Sequence, residues 1–144
     1  KKIIMGCLVG IDYGTKRTGL ACTDPNQLIA SGLKNLPTHE VIPFLKVFFE
    51  KEKVAGFVVG KPLQKDGTPA PVEEHIKVFL KSLEAQFPDC KINRHDERYT
   101  SKMALQAMID GGLKKKQRAD KGMVDQVSAT LILQSFLNYK MNVL

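Results

Sequence analysis

A short apolar run from Leu8 to Ile11 breaks at Asp12-Tyr13-Gly14, and a second follows from Thr18 to Ala21. Two apolar strands on either side of a Gly-containing turn predict a β-hairpin. Asp24-Pro25-Asn26 makes a further turn, and Leu28 to Leu36 reads as a third strand with Gly32 near its middle. Strands this close in sequence predict an antiparallel meander. The period then becomes helical. Pro37-Thr38 opens a helix with Thr38 as the expected N-cap, and Val41, Leu45, Phe48 and Phe49 fall on one core-facing stripe.

Val54 to Gly60 is a nearly continuous apolar run between two helices, the pattern of a buried parallel strand. It leads into the Pro/Gly-rich loop from Lys61 to Pro71. Glu73 to Phe87 forms a second amphipathic helix with Ile76, Phe79, Leu80 and Leu83 inward, stopped by Pro88-Asp89. Cys90 to Asp96 is a weaker strand, since only Cys90 and Ile92 are clearly apolar. Ser101 to Ile109 predicts a short helix capped by Thr100 and closed by Gly111-Gly112. A final helix runs from about Lys121 to Tyr139, its stripe made by Ala129, Ile132, Phe136 and Tyr139.

The order β-β-β-α-β-α-β-α-α predicts an α/β domain over residues 1–144: a mixed sheet of three antiparallel and then two parallel strands, with helices on both faces. The first strand is then central. The strand ends before Lys61 and Glu97 lie beside it.

Two acids stand out against this pattern. Asp12 shares the alternation of Leu8 and Gly10, and so a largely buried face, where a carboxylate needs a hydrogen bond, a partner or a metal. Gly10, Gly14 and Gly19 let a backbone or phosphate approach closely, and Lys16-Arg17 bring positive charge to the turn. Three readings follow: a turn-stabilising Asp, a metal-binding carboxylate for phosphodiester chemistry, or the phosphate-binding hairpin of an actin-like ATPase. Asp125 continues the stripe of the last helix one turn before Ala129, where solvation does not explain it, although Asp also favours helix N-termini.

Composition narrows the function classes. The hydrophobic share of 43% and charged share of 26% are those of an ordinary globular chain, and no apolar run reaches the ~20 residues of a membrane span. No signal-peptide pattern is visible. Cys7, Cys22 and Cys90 have no metal spacing, and their odd number fits a reducing cytoplasm, the expected location. His39, His75 and His95 show no ligand spacing either, with His95 close to Glu97 in sequence. The net charge of +7 favours a polyanionic partner, and Lys114-Lys115-Lys116-Gln117-Arg118 concentrates part of it just before the last helix.

Four segments occur in the order and spacing of a known family: Ile11-Asp12-Tyr13-Gly14-x-Lys16-Arg17-x-Gly19, Val58-Val59-Gly60-x-Pro62, Asp96-Glu97-Arg98-x-Thr100 and Lys121-Gly122-x-Val124-Asp125. In these the chain resembles the YqgF/RuvX family from about Leu8 to Tyr139. It departs at Lys61, where the family usually has Leu, and at Tyr99, where Leu or Phe is common. The resemblance implies an RNase H-like fold related to the Holliday-junction resolvase RuvC, and a nuclease acting on the precursor of 16S ribosomal RNA.

Carried over by position, the family's acidic residues fall on Asp12, Glu97 and Asp125. The resemblance makes these the catalytic residues and the ligands of Mg²⁺ (Mn²⁺ being the other candidate), with Asp12 bridging two ions. Lys16, Arg17, Lys61, Arg98, Lys114, Lys115, Lys116, Arg118 and Lys121 would contact phosphates around them. The ATPase reading falls away, because the chain has no room for a second lobe and an adenosine site. The expected partner is nucleic acid, RNA ahead of a DNA junction, bound by a monomer or homodimer. A four-way DNA junction resolvase and an RNA-binding ribosome assembly factor without catalysis are the alternatives.

Overall fold

The computed structural model describes residues 6–98 and 121–143, with the side chains of 127–140 in the last helix. Strands β1 (Cys7–Asp12), β2 (Arg17–Thr23) and β3 (Ala30–Pro37) form the antiparallel meander, and β4 (Val54–Lys61) and β5 (Lys91–Asp96) follow as parallel strands. The sheet order is β3-β2-β1-β4-β5, which puts β1 at the centre as expected. Helices α1 (Val41–Lys51) and α2 (Glu73–Gln86) connect the parallel strands, and α3 (Lys121–Val143) comes last. The helix expected over Ser101 to Ile109 lies outside the described residues.

Alternation along the strands divides the core in two. Val9, Ile11, Leu20, Phe57 and Val59 pack against Val41 and Leu45 of α1 and Ile76, Phe79 and Leu83 of α2. Leu8, Ala21 and Val58 point the other way, onto Ala129, Ile132, Leu133 and Leu137 of α3. Contact here is close at Gly10, where an added Cβ would come within 2.9 Å of the Leu133 Cβ and 3.1 Å of the Ala129 carbonyl. Helix α3 can therefore lie directly on the central strand. Among the described residues, no helix is long and apolar enough to cross a membrane.

Three local expectations are corrected. Strand β3 starts at Ala30 rather than Leu28, because the Asp24 carboxylate accepts the backbone N–H groups of Asn26, Leu28 and Ile29 and winds that stretch into a loop. Leu28 and Ile29 are consequently exposed. Thr38 makes no capping bond to α1; it begins a short 3₁₀ turn (Thr38–Glu40), and α1 starts at Val41. Its hydroxyl instead donates to the Gly14 carbonyl and sits 2.9 Å from the buried Thr18 hydroxyl, while its N–H donates to the Lys16 carbonyl at 2.9 Å. Thr38 thus fastens the β1–β2 turn. On α3 the inward stripe is Ala129, Ile132, Leu133 and Leu137; Phe136 is half-buried and Tyr139 is 60% exposed.

Candidate active site

Asp12 ends β1, and by the alternation of Leu8 and Gly10 it lies on the face that α3 covers. Its antiparallel partner is Gly19. On the other side Gly10 pairs with Val58 and Ile11 with Val59, so Asp12 and Gly60 occupy the next position of the same parallel ladder. Adjacent strands lie ~4.8 Å apart, which brings Asp12 beside Gly60.

Gly60 has no side chain, and another group uses that space. A Cβ there would collide with the Glu97 carboxylate and come within 2.9 Å of Ile132 Cδ1. Glu97 follows β5 and is held at the β4 end by its N–H, which donates to the Lys61 carbonyl at 3.2 Å. Two carboxylate residues therefore come from neighbouring strand ends to either side of one glycine, on the face that carries α3.

The charges around Glu97 do not neutralise it by contact. Its two sequence neighbours of opposite sign are engaged elsewhere: Arg98 pairs with Asp96 at 2.7 Å, and Arg94 with Glu73 at 2.8 Å. Among the described residues the Glu97 carboxylate makes no hydrogen bond or ion pair. Burial pushes its pKa up to about 7, an effect that the more distant Arg94 charge only partly offsets.

An all-oxygen donor set, one member partly buried without a counter-charge in contact, fits a hard divalent cation better than a soft one. The slot that Gly60 leaves open for a carboxylate agrees with that fit. The third acid, Asp125, lies within α3 one turn before the Ala129 that rests on Gly10; its side chain lies outside the described residues. Among the described residues, no three His, Cys, Asp or Glu side chains form a metal-sized cluster.

The basic residues divide. Lys16 and Arg17 are exposed in the β1–β2 turn that follows Asp12. Lys61 is the Cα partner of Asp96 and alternates to the opposite face from Gly60, where its charge helps to hold Glu73 low. Arg98 is tied to Asp96 by its guanidinium and by its own N–H. Lys114, Lys115, Lys116 and Arg118, and the side chain of Lys121, lie outside the described residues.

Sequence reasoning missed three features of this end of the sheet. One is the ion pair of Arg94 with Glu73, which is only 4% exposed. Another is His95, which meets the Ser135 hydroxyl of α3 at 2.9 Å and whose pKa is lowered by burial, keeping the ring neutral near pH 7. The last is Asn35, opposite Gly19 on β3, with a buried Oδ1 that has no hydrogen-bond partner among the described residues. Only the Arg/Glu composition of β5 and α2 hinted at the first.

A family model described as "RuvX: Holliday junction resolvase" matches residues 6–139. A protein of Christiangramia forsetii named "Putative pre-16S rRNA nuclease" is 53% identical over 133 residues, covering 92% of this chain and 98% of its own. A Flavobacterium johnsoniae protein of the same name is 51% identical over 92% of this chain and 96% of its own. Among solved structures, Thermus thermophilus RuvC in complex with a Holliday junction substrate superposes with a TM-score of 0.56 at 17% identity, over 94% of this chain and 95% of that one. That likeness gives the fold, a RuvC-like, RNase H-like mixed sheet. With the matched span running from the start of β1 almost to the end of α3, and with relatives half identical over nearly their whole lengths, the chain belongs to the RuvX family.

Proposed function

We propose that this protein is a nuclease that hydrolyses phosphodiester bonds in the precursor of 16S ribosomal RNA, using a divalent cation held by Asp12, Glu97 and Asp125. The observation that carries this reading is the seating of Glu97 over Gly60 beside Asp12. A partly buried carboxylate without a counter-charge is costly, and a cation would relieve that cost. The names of the relatives support the RNA substrate. Asp12, Glu97 and Asp125 would hold Mg²⁺ or Mn²⁺, which would supply an activated water and charge stabilisation at the leaving oxygen.

The chain's own residues orient the substrate. Asp12 and Glu97 present oxygens from two rigid strand ends, so their separation is set by the parallel ladder and not by a loop. Lys16 and Arg17 meet phosphates at the turn that Thr38 holds in shape. Arg98 reaches a phosphate only by leaving Asp96, and Lys61 only from the far face. Lys114, Lys115, Lys116, Arg118 and Lys121 extend the basic track.

A second reading, resolution of four-way DNA junctions, is favoured by the description of the matching family model. Purified protein with Mg²⁺ or Mn²⁺ is offered a precursor-rRNA segment and a four-way DNA junction, with Asp12→Asn as control. The near-isosteric change removes only charge, so cutting is expected to disappear while folding and RNA binding persist. Cutting of the junction alone would move the protein to DNA repair. Tight RNA binding without cutting in the parent protein would leave an assembly factor.

A further inference from the structure

Arg94 and Glu73 make the most completely satisfied charged pair among the described residues. Glu73 is the first residue of α2 and almost fully buried; Arg94 is 22% exposed at its side chain. Nη1 and Nη2 of Arg94 reach the two Glu73 oxygens at 2.8 Å each. The same guanidinium turns back on β4, with Nη2 donating to the Gly60 carbonyl at 2.9 Å and Nε to the Val59 carbonyl at 3.3 Å. Four hydrogen bonds leave a group of five N–H donors little for a phosphate. Arg94 is placed to hold protein, not substrate.

What it holds is the wall of the Glu97 slot. Gly60 is the residue whose absent Cβ admits the Glu97 carboxylate, and the next residue's carbonyl receives the Glu97 N–H. The chain that leaves β4 returns to α2 through a closed loop, with Ala70 N–H donating to the Pro62 carbonyl and Glu73 N–H to the Ala70 carbonyl, each at 3.0 Å. Arg94 fixes both roots of that loop at once.

We propose that the Arg94–Glu73 pair is a positioning device for the catalytic centre, clamping the Val59 and Gly60 carbonyls to the start of α2 so that the slot for the Glu97 carboxylate keeps its shape. The inference rests on the nuclease reading for its catalytic consequence. Its geometric part does not. A buried ion pair is weak evidence for stability, because apolar residues of similar size often replace one without loss. Partners one step behind a metal ligand commonly tune affinity and rate by about 10- to 100-fold.

The test is the double variant Glu73→Leu with Arg94→Leu, accompanied by Arg94→Lys, which keeps the charge but not the fork. The Leu pair is expected to keep the melting temperature of the parent. Its Glu97 amide is expected to exchange hydrogen faster, its Mn²⁺ affinity to fall about 10- to 100-fold, and kcat to fall with KM for RNA unchanged. Arg94→Lys is expected to shift the same readouts in the same direction, and it serves if the Leu pair does not fold. Folded variants with the parent's Glu97 exchange would overturn the proposal, whatever their activity. If the parent protein neither binds Mn²⁺ nor cuts, the nuclease reading falls, and amide exchange still decides the clamp.

Discussion

The carboxylate of Glu97 lies over Gly60, in the space that a Cβ on that residue would take. The two residues are 37 positions apart and meet because β4 and β5 run parallel, with Gly60 opposite His95 and Lys61 opposite Asp96. The carboxylate therefore points back over the strand that neighbours Asp12.

Substituting Gly60→Ala tests that relationship. The new methyl would meet the Glu97 carboxylate and Ile132 Cδ1, so it should cost about 1–3 kcal/mol of stability. Displacing Glu97 should also lower kcat by at least about tenfold. In a Glu97→Ala background part of the clash is gone, and the stability cost of Gly60→Ala should shrink. Urea denaturation of the four proteins in the cycle measures the coupling. Additive costs would separate the two residues.

Ionisation of Glu97 makes stability depend on pH. A glutamate ordinarily ionises near 4.5, and here burial holds the proton until about 7. Between those values the folded chain binds more protons than the unfolded one, so stability falls as pH rises through the window, and the full penalty is present above it. Glu97→Gln is neutral throughout. In EDTA its melting temperature relative to the parent should climb from about pH 4.5 to about pH 7 and then level off. A difference that does not change with pH would show that burial leaves Glu97 ionised.

Charge reversal in the β1–β2 turn probes how the substrate is held. Lys16→Glu with Arg17→Glu alters exposed side chains and leaves the Thr38 bonds to Gly14 and Lys16 backbone atoms intact. Folding should be unaffected. RNA affinity should fall, and the slope of log K against log salt should become shallower by about 0.7 for each phosphate that the turn no longer neutralises. A salt titration of binding with an unchanged slope would place the strand elsewhere.

Much of the architecture is legible in the sequence. β1, β4, α1 and α2 declare themselves through patterns that depend only on near neighbours, and the division of the β1 and β4 side chains between the two core clusters follows from the parity of their apolar residues. Asp12 can be singled out because a carboxylate on an apolar alternation is locally anomalous. β5 is faint for a physical reason. It is an edge strand whose α3-facing His95 is satisfied by a hydroxyl from a helix 40 residues on.

Other features belong to the tertiary structure alone. Thr38 has the look of a helix cap, yet the hairpin turn offers its hydroxyl the Gly14 carbonyl, a partner 24 residues away. The apolar stripe of α3 admits two rotations, and close approach of Ala129 and Leu133 to Gly10 chooses the one that leaves Tyr139 in solvent. Arg94, Asp96, Glu97 and Arg98 are consecutive or nearly so, and any pairing among them satisfies the sequence. Strand alternation sends Arg94 to Glu73 on one face and Glu97 over Gly60 on the other. Local periodicity determines the type and order of the strands and helices and most of the core residues of the sheet, α1 and α2. Which charges meet, and which acid is left partly buried away from them, is decided by register between strands distant in sequence.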